Sequence, residues 1–160
     1  TMKNATLQLK VMNFDGKVLN SKLVKGEVPA NASVVYCKEN YEALAKDPRN
    51  TFLLMILKDA KGKVLSEEIY YFNYPKDQEL PVAKVSYKVK QMDGKCEVTL
   101  STKQLARDIF IEIPVQGARF TDNFFDLLPG QTKKIVITSD KIKKNEPVQL
   151  KLRHLKGIIK

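Results

Sequence analysis

The segment RFTDNFFDLLPGQTKKIVIT (119–138) sets two carboxylates, Asp122 and Asp126, on either side of a pair of phenylalanines. Two carboxyl groups about 5 Å apart across a sugar, or somewhat further apart, are what retaining and inverting glycoside hydrolysis require. A loop curling between Asp122 and Asp126 would bring them to such a spacing. The same residues also spell a corner. Asp122 and Asn123 bond nearby backbone and tolerate unusual dihedral angles. Phe124, Phe125, Leu127 and Leu128 supply apolar bulk to close the end of a sandwich. Pro129 and Gly130 suit the two central positions of a type II turn, the glycine at positive φ. The corner is the stronger reading, with the aromatics in the core and the acids and Pro-Gly in the turn.

The other reactive side chains are scattered. His154, the only histidine, continues the row Val148, Leu150, Leu152 and should cap a strand at a sheet edge. No G-x-S-x-G elbow supplies it with a nucleophile, and one histidine among dispersed acids makes a poor metal site. Glu67 and Glu68 are adjacent in a strand pattern, so they point to opposite faces and do not act as a pair. Tyr70, Tyr71 and Tyr74, with Phe72, offer a sugar-stacking platform as an alternative to core and interdomain packing, although tryptophan is absent. Cys37 and Cys96 lack any disulfide or CxxC spacing and read as small buried apolar residues. Glycine-rich phosphate loops are missing. No self-contained active site, cofactor or metal is expected.

The elements that must position these residues alternate with period two. Leu7, Leu9 and Val11 form one row, Asp15-Gly16 a hairpin turn, and residues 17–28 a continuing extended chain. SVVYC (33–37) reads as a strand, ENYEALAK (39–46) as a helical turn or two capped by Asn40, and FLLMIL (52–57) as a central strand covered on both faces. VLSEEIYYF (64–72) ends the half. NYPKDQELP (73–81) lacks periodicity and carries two prolines, as a linker does. Alternation then restarts with Val85, Tyr87 and Val89, followed by rows at Cys96/Val98/Leu100, Ile109/Ile111/Ile113 and Val148/Leu150/Leu152. Short strands with regular turns and almost no helix describe an all-β chain. It divides best into two tandem Ig-like β-sandwiches with at most one short helical turn, residues 1–74 and 83–160, joined by a linker at 75–82.

Composition narrows the partners. A hydrophobic content of 43% excludes disorder, and the longest apolar run is too short to span a bilayer. The start, TMKNATLQLK, has no apolar signal segment and enters strand pattern at once, as a piece of a longer chain would. The net charge is +2 over residues 1–80 and +8 over residues 81–160. A basic half attracts polyanions, but these lysines alternate with apolar residues, as in KVSYKVK (84–90), which marks a solvated sheet face. No nucleic-acid motif accompanies them. Two short sequons, Asn4-Ala5-Thr6 and Asn31-Ala32-Ser33, matter only in a eukaryotic secretory pathway.

Two stretches carry a resemblance. YYFNYPKDQELPVAKVSY (70–87) and GARFTDNFFDLLPGQTKKIVITS (117–139) resemble the end-of-domain strand, Pro-Lys linker and Leu-Pro entry, and the DN-aromatic-F-D-L-L-P-G segment, of the two C-terminal Ig-like domains of family 2 glycoside hydrolases, most closely β-mannosidases. The resemblance implies a parent that removes terminal β-linked mannose with retention, by glutamates on an upstream (β/α)₈ barrel, which 160 residues of this pattern do not hold. No catalytic residue carries over. The family pattern opens the first sandwich with an Asn-Asp segment that would precede Thr1, so truncation near the domain boundary is expected. The implied partners are the upstream barrel and other domains of the parent, its glycan substrate, and a second copy in a homodimer; nucleic acid and membrane are not expected. The implied location is periplasmic or extracellular. The rival reading is a carbohydrate-binding or adhesion module of tandem Ig-like domains.

Overall fold

The computed structural model describes residues 1–159, with side-chain surroundings for all of them except 41, 158 and 159. The chain divides into two compact units, Thr1–Glu79 and Leu80–Lys160. Among the described residues the regular secondary structure is almost all strand, with one four-residue helix and one 3-10 turn at Pro75–Asp77. None of its helices is long and apolar enough to cross a membrane.

The first unit is built on one four-stranded antiparallel sheet. Strands β1 (Met2–Asn13), β2 (Val18–Val28), β3 (Thr51–Lys58) and β4 (Val64–Tyr71) lie in the order β2-β1-β3-β4. The β1–β2 hairpin turns where Asp15-Gly16 predicts it: Gly16 takes φ +89° and its N–H reaches the Asn13 carbonyl at 3.0 Å. In β3, Phe52, Leu53, Leu54 and Ile56 are all buried, as an apolar run without alternation requires of a strand with neighbours on both sides and cover on both faces. On one face Leu9, Val11, Leu53 and Phe72 gather with Ala45, and Leu44 and Cys37 pack against them. On the other, Phe52 stacks on Phe14 with ring centroids 6.3 Å apart. Leu19 and Leu23 of β2 are more than half exposed.

Residues 33–37 correct the sequence reading, because SVVYC is not a strand. Val34 and Val35 are exposed, at 50% and 70%, and the segment joins no ladder. It instead crosses the sheet as a strap. Tyr36 lies against Gly26 of β2, where an added Cβ would come within 2.4 Å of the ring, and its hydroxyl donates to the Glu27 carbonyl at 2.7 Å. Glu39 pairs with Lys22 of β2. The strap ends in α1 (Tyr41–Leu44), capped by the Asn40 side-chain oxygen, which accepts the Glu42 N–H at 2.8 Å. A β-branched, alternating run has the composition of a strand, but anchoring by Tyr36 and Glu39 holds this one over the sheet rather than beside it.

The second unit is a two-sheet sandwich. One sheet orders β5 (Val85–Met92), β6 (Lys95–Thr102), β10 (Thr132–Thr138) and β8 (Arg119–Phe120) as β5-β6-β10-β8. The other orders β12 (Gly157–Ile159), β11 (Lys151–His154), β7 (Ala106–Glu112) and β9 (Phe125–Leu127) as β12-β11-β7-β9. Their facing rows, Cys96/Val98/Leu100 and Ile135/Ile137 against Ile109/Ile111, Phe125/Leu127 and Leu152, form a single core. Cys96 is fully buried, which pushes its thiol pKa up by desolvation, whereas Cys37 is only half-buried; both are free.

The Tyr36–Gly26 contact yields a test. Gly26→Ala should destabilise the first unit by about 1–3 kcal/mol, because the added methyl must displace the ring. The same change on a Tyr36→Ala background should cost much less, a coupling that urea denaturation of the four-member mutant cycle measures.

Candidate functional site

The segment 122–130 passes from the second unit's β8 side to β9 and on to β10, and each of its polar groups is committed to the fold. Asn123 is the pin. Its side-chain oxygen accepts the Ile111 N–H at 2.9 Å and its amide donates to the Ile111 carbonyl at 2.9 Å, so one side chain completes the β7 backbone as a strand would. Asp122 accepts the Asn123 N–H at 2.8 Å and pairs with Lys133 of β10. Asp126 turns the other way. One of its oxygens accepts the Asp108 N–H at 2.9 Å, and the other lies 3.6 Å from Arg107 Nε. Asp108 is the bulged residue of β7, at φ +53°, where the ladder with β9 shifts register between Ala106 and Ile109. Aspartate tolerates that left-handed backbone, and the Asp126 carboxylate satisfies the N–H that the bulge removes from the ladder.

Leu128 and Gln131 close the following turn, with the Gln131 N–H 3.0 Å from the Leu128 carbonyl; Pro129 and Gly130 occupy its centre, and Gly130 is at φ +78°. Phe125, Leu127 and Leu128 are buried. Phe124 is not, and this corrects the placement of both aromatics in the core: its side chain is 69% exposed, on a backbone at φ +58°. Phe124 stands just before β9 on a left-handed backbone, and the strand that turns Phe125 and Leu127 inward leaves it outside the core. The two carboxylates therefore serve different partners on different strands, Lys133 on β10 and Arg107 on β7.

The remaining candidates are dispersed. Tyr70 and Tyr71 lie on opposite faces of β4, as consecutive strand residues must. Tyr70 meets Phe72 edge-on at 5.6 Å, Tyr71 tilts against Phe52 at 6.2 Å, and Tyr74 is 75% exposed beyond the strand. They do not make one platform. Glu67 and Glu68 stand beside Ile56 and Met55 respectively, one on each face. His154 ends β11, buried, with its Nδ1 accepting the Lys156 N–H at 3.3 Å. On the outward side of β6, Glu97 is held by Lys95 and Lys134, whose hydrogen bonds lower its carboxyl pKa to about 2. Among the described residues no cluster of three or more His, Cys, Asp or Glu could hold a metal ion. Sequence reasoning missed the Asp108 bulge and the Asn123 pin. The first has no signal beyond an aspartate inside an apolar row, and the second shows only as a DN turn dipeptide.

Two tests follow from this geometry. Asp126→Ala should destabilise the second unit by about 2–4 kcal/mol, because it strands a largely buried Arg107 and a bulge N–H. Asp122→Ala, which breaks a half-exposed pair, should cost under about 1 kcal/mol; denaturant melts compare them. Burial depresses the His154 pKa below the ordinary 6.5, with a hydrogen bond to the Ala83 backbone pulling the other way. The unfolded histidine takes up its proton at higher pH than the folded one, so its contribution is complete above pH 6.5 and lost as pH falls through the folded pKa. The melting temperature should accordingly drop between pH 7 and pH 5 by more than it does in His154→Gln, as calorimetry at stepped pH would record.

Residues 1–77 match the mannosidase Ig/CBM-like domain family and residues 80–158 an Ig-fold domain family named for mannosidases. No curated protein sequence matches the chain. Among solved structures, the β-D-mannosidase from Dictyoglomus thermophilum is similar at 25% identity and TM-score 0.73, over 99% of this chain and 19% of that enzyme. The exo-chitosanase CsxA of Amycolatopsis orientalis has the same fold at 18% identity and TM-score 0.67, over 98% of this chain and 23% of its own. The chain thus spans about a fifth of the length of these enzymes. With both halves matched, the chain is a tandem pair of mannosidase immunoglobulin-like domains, of the kind found in family 2 glycoside hydrolases.

Proposed function

We propose that the chain is a non-catalytic accessory region of a β-mannosidase-like glycoside hydrolase, whose parent removes terminal β-linked mannose from oligosaccharides. The observation that carries this reading is the likeness to a β-D-mannosidase along 99% of the chain, at a quarter of its residues identical. The geometry supports the accessory role. The one stretch with the composition of a carboxylate site engages its acids with Lys133, Arg107 and the Asp108 N–H, and these partners hold strands together. A retaining glycosidase needs two carboxyl groups facing one sugar, and that chemistry belongs to the barrel that the resemblance implies upstream. The role proposed for the two units is mechanical: rigid, separately cored bodies that extend and brace the parent in the periplasm or outside the cell.

An antibody raised against the chain tests this on fractionated lysate of the source cell. The expected result is a native protein several times larger than the chain, in the periplasmic or extracellular fraction, whose immunoprecipitate cleaves an aryl β-mannoside. A large protein that cleaves a different aryl glycoside would replace the substrate. A protein no larger than the chain, without glycosidase activity, would overturn the accessory reading.

A further inference from the structure

Phe124 departs from what its position asks for. At φ +58° its backbone lies in the left-handed region, where glycine, asparagine and aspartate are the low-cost residues. Asp108, in the same region on β7, obeys that rule. An aromatic there gains no core burial, since 69% of it is exposed. Strain that the surroundings hold in place points to use, and the surroundings do hold it. Asn123 is bonded to both backbone groups of Ile111, its side-chain oxygen also accepts the Phe124 N–H at 3.2 Å, and Phe125 is buried on the next step.

The ring itself is supported from beneath. It stacks on Phe110 with centroids 4.5 Å apart and planes 24° from parallel, which leaves its other face to solvent. Arg153, the register partner of Phe110 on β11, holds its guanidinium 5.5 Å from the Phe110 centroid and bonds the Glu112 carboxylate at 2.9 Å. Arg153, Phe110 and Phe124 thus form a ladder across neighbouring strands on the outward face of the second unit's sheet. Neither the corner nor the core uses it.

We infer that Phe124 is a stacking platform for a pyranose ring of a β-linked glycan. One face of such a sugar is a sheet of C–H groups that fits an aromatic ring, and its hydroxyls project around the rim. Arg153 lies against Phe110 on the side away from β9 and is tied to Glu112, so this pair props the stacked rings and leaves the free face of Phe124 to the sugar. A single exposed ring is far smaller than the roughly 1,200 Å² that a stable protein interface buries, which favours a sugar over a protein partner. The inference rests on the parent being a glycosidase, which is what brings β-linked pyranoses to this surface. One platform gives weak binding, with a Kd on the order of 1 mM.

The test is a nuclear magnetic resonance titration of the labelled chain with β-1,4-mannotetraose and with cellotetraose. Saturable shifts centred on Phe110, Phe124 and Arg153 with either sugar are expected. Phe124→Gly, which keeps the backbone angle free of strain and removes only the ring, should weaken binding by about tenfold or more while the chain remains folded by its spectrum. Absence of shifts with both sugars, shifts confined to Tyr70, Tyr71 and Tyr74, or equal binding by Phe124→Gly and Phe124→Ala and the unaltered chain would each overturn the inference. A large native protein that cleaves aryl β-mannoside would leave the accessory reading standing in all three cases, so the two fail separately.

Discussion

The second unit depends on one side chain standing in for a strand. β9 is three residues long and meets β7 across a bulge, a pairing too short to hold itself. Asn123 supplies what is missing by bonding both the N–H and the carbonyl of Ile111. Once that is fixed, the rest of the corner follows in order. Phe125 and Leu127 enter the core, Asp126 comes to rest against Arg107 and the bulge N–H, and the Pro129-Gly130 turn delivers the chain to β10. A buried backbone amide left without this partner would cost about 1–3 kcal/mol, and the neighbouring contacts would lose their register with it.

The two units meet the same requirement differently. A four-stranded sheet with an apolar face must cover it. The second unit does so with a second sheet, rows of Cys96, Val98 and Leu100 meeting Ile109 and Ile111. The first does so with the strap that runs from Tyr36 to Ala45 and packs on Leu9, Val11 and Leu53. Gly26 makes room for the strap by omission, since any side chain there would occupy the place of the Tyr36 ring.

This difference explains which features could be read from the sequence. Strands whose two faces differ announce themselves by alternation, and β1, β5, β6 and β7 are visible that way, while β3 shows by its unbroken apolar run. Asn40 as a helix cap and Asp15-Gly16 and Pro129-Gly130 as turns rest on local chemistry and were equally readable. The strap was not, because Ser33 to Cys37 has a strand's composition and only the distant Gly26 and Lys22 decide where it lies. Asp126 showed its charge but not its partner, since Arg107 is close in space only after β7 and β9 pair. Phe124 was not readable, because an apolar run reads as core and only the left-handed backbone just before β9 turns this ring outward.

Covering a face does nothing for an edge. The sheet of the first unit ends in β2 on one side and β4 on the other, each with a row of backbone groups turned away from its neighbour. Such margins invite pairing between molecules unless charge discourages it. β2 carries Lys22, Lys25 and Glu27, and β4 carries Glu67 and Glu68 in its middle. Glu67 and Glu68 thereby acquire a purpose that has nothing to do with acid–base chemistry: one charge on each side of an open border, so that no approach to β4 from another strand escapes a carboxylate.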